Sequence, residues 1–109
     1  MNKDRIEQLQ NFLKNDPNDP FLLYALATEY KSKDKNLAKK YFDKLLVEFP
    51  DYCGTYFHAA ALYADFDEID KAKNIYEEGI SRCEKNNEQH HLRELKNAYN
   101  NFLIEFDLF

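Results

Sequence analysis

Apolar residues recur along this chain at spacings of three and four, the period that gathers side chains on one face of a helix. Ile6, Leu9, Phe12 and Leu13 form the first such stripe over residues 4–14, and Asp4 with Glu7 has the form of a capping pair. The run Asn15-Asp16-Pro17-Asn18-Asp19-Pro20 ends it, because proline removes a donor and biases the residue before it away from helical angles. Leu23, Leu26, Ala27 and Tyr30 predict a second helix over 20–32, with Pro20 suited to its first turn. After the polar break Lys33-Asp34-Lys35, a third stripe runs through Leu37, Ala38, Tyr41, Phe42, Leu45, Leu46 and Phe49 and stops at Pro50. Tyr56, Ala59, Ala60 and Tyr63 predict a fourth helix over 51–64. Asp65-Phe66-Asp67-Glu68 is the next break, with Asp67 a candidate cap for a fifth helix carrying Ile69, Ala72, Ile75, Tyr76 and Ile80. Residues 84–89 are polar, and Leu92, Leu95, Tyr99, Phe102 and Phe106 then predict a sixth helix over 88–106.

Helices two and three reappear as helices four and five. Leu23, Ala27 and Tyr30 recur as Tyr56, Ala60 and Tyr63, each 33 residues later, and Ala38, Phe42 and Leu46 recur as Ala72, Tyr76 and Ile80, each 34 later. The difference places a one-residue deletion near Lys33, in a connection that tolerates it. With Leu26, Leu45 and Pro50 in the first copy and Ala59 and Gly79 in the second, the pattern resembles the tetratricopeptide repeat, a helix-turn-helix unit of about 34 residues. Small residues let paired helices approach closely, and aromatics fill the space where the approach widens. Leu13-x-x-x-Pro17 reproduces the spacing of Leu46-x-x-x-Pro50, so helix one reads as the second half of a leading repeat, with Arg5 in the place of Ala38 and Ala72. Two features depart from the family. Neither intra-repeat turn has the expected glycine, and Glu84 stands where a second closing proline belongs. Lys33, Asp34 or Asp67 must satisfy those turns, and Asp tolerates left-handed angles.

The resemblance implies an all-α fold, a short right-handed superhelical array of antiparallel helix pairs built from six helices. It divides one domain, 1–109, into a leading half-repeat helix at 3–15, repeats at 20–52 and 53–86, and a capping helix at 88–107 whose Lys96, Asn97, Asn100 and Asn101 face water. In the family the first helix of each pair lines a concave groove that holds an extended or helical peptide. The implied binding residues are therefore Phe21, Tyr24 and Thr28 on the second helix and Phe57 and Ala61 on the fourth, with Lys31, Gly54, Ala64, His58 and Asp65 around them. Phe21, Tyr24 and Phe57 weigh most, since the packing stripe does not account for them and exposed aromatics anchor partners. The competing reading is that the leading or trailing helix covers them. One subtype clamps acidic tails with Lys and Asn; Tyr24, Thr28, Phe57 and Ala61 occupy those places, so an apolar or mixed ligand is expected instead.

Composition narrows the function further. Two glycines and three prolines are too few for many strands and tight turns, and a net charge of -5 with 32% charged residues argues against a nucleic-acid partner. No apolar run nears the roughly 20 residues that span a bilayer, and Met1-Asn2-Lys3-Asp4-Arg5 opens no signal region, so a cytoplasmic, membrane-free protein is expected. Lys31, Lys33, Lys35, Lys39, Lys40 and Lys44 read first as a solvated face. Cys53 and Cys83 make no Cys-x-x-Cys pair and are expected as free thiols. His90 with Glu94 is one same-face pair, which is too few ligands for a metal, and Asp65, Asp67 and Asp70 lack the glycine and glutamate of a calcium loop. No phosphate-cradling loop or activated nucleophile is present, so no enzyme and no cofactor is expected. The expectation is a protein or peptide interaction module. Its alternative is a structural, self-associating homodimer that uses the apolar tail through Phe106, Leu108 and Phe109.

Overall fold

A computed structural model describes residues 2–108. Its helices in chain order are α1 (Asn2–Asn15), α2 (Pro20–Tyr30), α3 (Lys35–Glu48), α4 (Gly54–Asp65), α5 (Ile69–Lys85) and α6 (Gln89–Glu105), with no strand among the described residues. The chain forms two compact units, Met1–Thr55 and Tyr56–Phe109.

In the first unit α1 packs on α2 and α2 on α3. Ile6 and Leu9 of α1 meet Leu22, Ala25 and Leu26 of α2 in one buried cluster, against which Leu13, Tyr30 and Tyr41 pack. Tyr30 and Tyr41 lie almost parallel, ring centroids 5.9 Å apart, and the Gln10 amide donates to the Tyr30 hydroxyl at 2.9 Å. Arg5 reaches Glu29 at 2.6 Å, so the residue at the repeat's alanine position makes an interhelical ion pair instead. Asp19 caps α2 by accepting from the Phe21 N–H at 2.9 Å, with Pro20 in the first turn. The helix ends at Tyr30, two residues before the predicted 32, because the N–H groups of Lys33 and Asp34 both turn back onto the Tyr30 carbonyl at 2.9 and 2.8 Å. Asp34 then caps α3, accepting from the Leu37 N–H at 3.1 Å. Because α1 begins at Asn2, Asp4 lies in its first turn and not at the N-cap position expected of it.

The approach to α4 differs from the predicted start at 51. After Pro50 the chain makes a turn, with Tyr52 N–H on the Phe49 carbonyl and Thr55 N–H on that of Tyr52, and helix begins only at Gly54. In the second unit α5 packs on α6. Gly79 of α5 lies against Tyr56 of α4 and Leu95 of α6 so closely that an added Cβ would stand 2.5 Å from the Tyr56 Cβ. Lys71 lies over the Tyr63 ring at 4.7 Å. Ala59, Ala60 and Ala72 are fully buried, which is the small-residue contact that the repeat spacing predicts.

Three helix ends in this unit share one closure. Asp67, Asn87 and Asp107 adopt φ of 63°, 59° and 57°, and the N–H groups of Glu68, Glu88 and Leu108 bond the carbonyls of Tyr63, Cys83 and Leu103 five residues back. This is a Schellman closure with Asp or Asn in the place where glycine is usual. Asp67 is therefore the left-handed residue that ends α4 and not the cap of α5; Glu68 stands at that N-cap and makes no side-chain cap bond. Where Glu84 replaces the second closing proline, the donor is retained and α5 runs for 17 residues against 14 in α3.

Candidate functional site

Phe21, Tyr24 and Thr28 fall three and four residues apart, so α2 presents them on one face. Phe21 is 56% exposed while its neighbours Leu22 and Leu23 are buried. Tyr24 is half-buried, its ring 5.7 Å from that of Tyr52 and tilted by 52°. Burial, then the neighbouring Tyr24 and Asp19, push the Tyr52 phenol above its ordinary pKa. Beside this pair a shallow depression of about 380 Å³ is lined by Pro20, Phe49, Pro50 and Tyr52, with Glu48 and Asp51. The Thr28 hydroxyl donates to the Ala25 carbonyl at 2.9 Å, so its proton is used within its own helix.

On α4, Phe57 is 40% exposed and meets the His58 ring edge-on with centroids 5.2 Å apart. One turn on, Ala61 opens into a groove of about 530 Å³. Ala64 and Asp65 continue the α4 wall; Ala98, Asn101 and Glu105 form the opposite wall on α6; Tyr76, Phe102 and Phe106 supply its aromatic surface. The Phe102 ring lies 5.1 Å from both Tyr76 and Phe106. Burial, then the charge of Glu105, hold the Tyr76 phenol above its usual pKa. Tyr99 of α6 donates to Glu77 of α5 at 2.6 Å. Burial, that hydrogen bond and the carboxylate's charge push Tyr99 up to about 12.

The residues singled out from sequence differ in their surroundings. Phe21 and Phe57 stand exposed, Tyr24 is shared with an aromatic neighbour, Thr28 bonds its own helix, and Ala61 lines the groove together with Ala64 and Asp65. The α6 wall was missed, because its polar residues were assigned to water and its aromatics to packing. The signal was present: residues 98, 101, 102, 105 and 106 follow one another at helical spacing. Asn101 is both exposed and part of the wall.

His90 and His91 make separate contacts, to Glu94 at 3.5 Å and to Glu88 at 3.2 Å. Among the described residues no three His, Cys, Asp or Glu are grouped to hold a metal, and no helix is long and apolar enough to cross a membrane. Cys53 and Cys83 are buried free thiols.

No family model matches the chain, and no curated protein is significantly similar to it. Solved structures do match. The crystal structure of a tetratricopeptide repeat domain protein from Salinibacter ruber is 37% identical, with a TM-score of 0.74, covering 78% of this chain and 96% of that one. A solution structure of a tetratricopeptide repeat domain protein from the same organism is 38% identical, with a TM-score of 0.73, covering 79% and 88%. The crystal structure of MamA, at 21% identity and a TM-score of 0.67, covers 97% of this chain and 69% of MamA, and it shows the likeness of fold alone. With the repeat read twice at fixed offsets, buried alanines at its close contacts, and more than a third of the aligned residues shared across nearly the whole Salinibacter domain, this all-α helical repeat chain belongs to the tetratricopeptide repeat family.

Proposed function

We propose that this chain is a non-catalytic interaction module of the cytoplasm, a scaffold that holds a peptide or protein segment on the first helix of each pair. Phe21, Tyr24 and Thr28 of α2 and Phe57 and Ala61 of α4 carry the binding. Residues 20–52 and 53–86 act as its two repeats, with 3–15 as a leading half and 88–107 as the cap. The observation that carries the reading is the exposure of Phe21 and Phe57, at 56% and 40%, on helices whose leucines are all buried. An exposed aromatic contributes little to folding but releases about 25 cal/mol for each Å² that a partner removes from water. Exposed aromatics of this kind concentrate binding energy in few residues.

The test is the variant carrying Phe21→Ala and Phe57→Ala together. Its helical circular dichroism should match the parent, because neither ring sits in the core, while capture of its partner from lysate should fall at least tenfold. Undiminished capture by a folded double variant would move binding away from these faces. The alternative, homodimerisation through Phe106, Leu108 and Phe109, has less surface to draw on. Phe106 and Leu108 are half-buried, and Phe109 lies outside the described residues.

A further inference from the structure

Tyr24 and Tyr52 meet with their rings tilted by 52°, whereas Tyr30 and Tyr41 lie within 3° of parallel. A tilted pair leaves part of each face open to a third ring; a stacked pair closes over itself. Both tyrosines are half-buried, as are Pro20, Phe49 and Pro50, which with Tyr52 line the depression of about 380 Å³. Phe21, next to Pro20 in the chain, is 56% exposed. The Tyr30 hydroxyl accepts from Gln10 and that of Tyr99 donates to Glu77, but the Tyr52 hydroxyl bonds no described residue. Burial, then Tyr24 and Asp19, hold the Tyr52 phenol above its ordinary pKa, so it keeps its proton and remains a donor. Backbone donors are scarce on this surface. Pro20 and Pro50 have no N–H, and the N–H groups of Phe49 and Tyr52 already bond the carbonyls of Leu45 and Phe49.

We propose that this surface binds a proline-rich segment of a partner in the polyproline II conformation, with proline rings on Phe21, Tyr24 and Tyr52 and a carbonyl on the Tyr52 hydroxyl. The inference rests on the reading of the chain as an interaction module and names the kind of segment that the α2 face takes. Proline brings an apolar ring and no N–H, so laying it on aromatic rings buries no donor without a partner. A polyproline II backbone makes no internal hydrogen bonds, which leaves its carbonyls free to accept from the phenol. Such segments dock on aromatic-lined grooves and arrive already extended, at low cost in ordering. A segment paired as a strand would instead need the backbone donors that Pro20 and Pro50 lack. Glu48 and Asp51 border the depression and no lysine or arginine lines it, so a cation flanking the prolines is favoured over an acid. The exposed pair of Glu48 with Lys44, at 3.7 Å, screens part of that preference, which makes charge the weaker of the two criteria. A second copy's tail is disfavoured, since Glu105 and Asp107 would bring further negative charge to this border.

The probe is acetylated, amidated Lys-Pro-Pro-Ala-Pro-Pro, titrated into the isotopically labelled full chain and followed through backbone amide shifts. Amides of Phe21, Tyr24, Phe49, Asp51 and Tyr52 should shift. Exchanging every proline for alanine should weaken binding at least tenfold, and exchanging the lysine for glutamate should weaken it by a smaller factor. Tyr52→Phe keeps the ring and removes the donor; it should weaken the proline peptide about threefold or more, with helical circular dichroism unchanged. Equal binding of the alanine peptide, undiminished binding to the Tyr52→Phe chain, or tighter binding of the glutamate peptide would overturn the proposal. So would larger shifts of the same amides by a peptide copied from residues 103–109, which would give the surface to a second copy of the chain. Absence of any shift with the proline peptide would overturn it as well, yet leave the interaction-module reading standing. That reading fails separately, in the lysate capture.

Discussion

Tyr99 and Glu77 couple the charge state of one residue to the stability of a helix pair. The phenol donates to the carboxylate at 2.6 Å, and its pKa stands at about 12 when folded against an ordinary 10.0. The unfolded chain therefore loses this proton first as pH rises. The stabilisation is complete below about pH 10 and is lost between about pH 10 and 12. Tyr76, Tyr41 and Tyr52 are also raised, chiefly by burial, and add in the same direction. Urea midpoints measured from pH 8 to 11.5 should fall through the upper part of that range, and Tyr99→Phe should fall less steeply. Parallel curves for the two proteins would mean that the bond to Glu77 does not carry the shift. At this scale the sequence was partly legible. Phe21 and Phe57 could be recognised as unexplained by the packing stripe, and both are exposed. The contact of Tyr24 with Tyr52 was not, because it depends on the turn after Pro50 delaying α4 to Gly54.

At the scale of the element, helix contact is set by where small residues fall. Gly79 of α5 has the tightest requirement, since a methyl there would stand 2.5 and 2.6 Å from Cβ and Cγ of Tyr56 and 2.8 Å from Leu95. Tyr56 Cβ is fixed to the α4 backbone, so no rotamer change relieves the clash and the helices must separate. Overpacking of this kind costs up to about 3 kcal/mol, offset by about 1 kcal/mol of helix propensity gained over glycine. Gly79→Ala should therefore lower stability by about 2 kcal/mol in urea unfolding, and a neutral or stabilising result would show that α4 and α5 are less closely held. The existence and order of all six helices, and the alanines at their contacts, were readable because packing imposes a period on the sequence. Helix ends were less readable, because backbone groups decide them. Asp67 was open to two roles, cap or left-handed turn, and the choice was settled by the Glu68 N–H bonding the Tyr63 carbonyl. The shorter turn after α2 closes without any left-handed residue, through two bonds to Tyr30, which is where the missing residue of the 33-residue spacing is absorbed.

For the molecule as a whole, the competition is between a partner of different sequence and a second copy of this chain. The apolar tail is the motive for the second copy, and much of that surface is already engaged. Phe106 packs on Phe102 with centroids 5.1 Å apart, and Leu108 is turned back by its N–H bond to the Leu103 carbonyl at 2.9 Å, with Asp107 left-handed between them. Ile104 is 62% exposed, but one such side chain is ordinary on a protein surface. A net charge of -5 also opposes association of like chains at low salt. Sedimentation of the full chain and of a version ending at Glu105 should therefore give monomers in both cases. The shortened chain should unfold at lower urea, because it loses the Phe106 ring, whose burial is worth about 1.5–3 kcal/mol when complete and less here, where the ring is half-buried. A dimer present in the full chain and absent from the shortened one would reverse the assignment and make self-association the tail's role. Monomers with unchanged stability would instead mean that Phe106 does not hold its place on α6, and the aromatic side of the groove would then be poorly formed for any ligand.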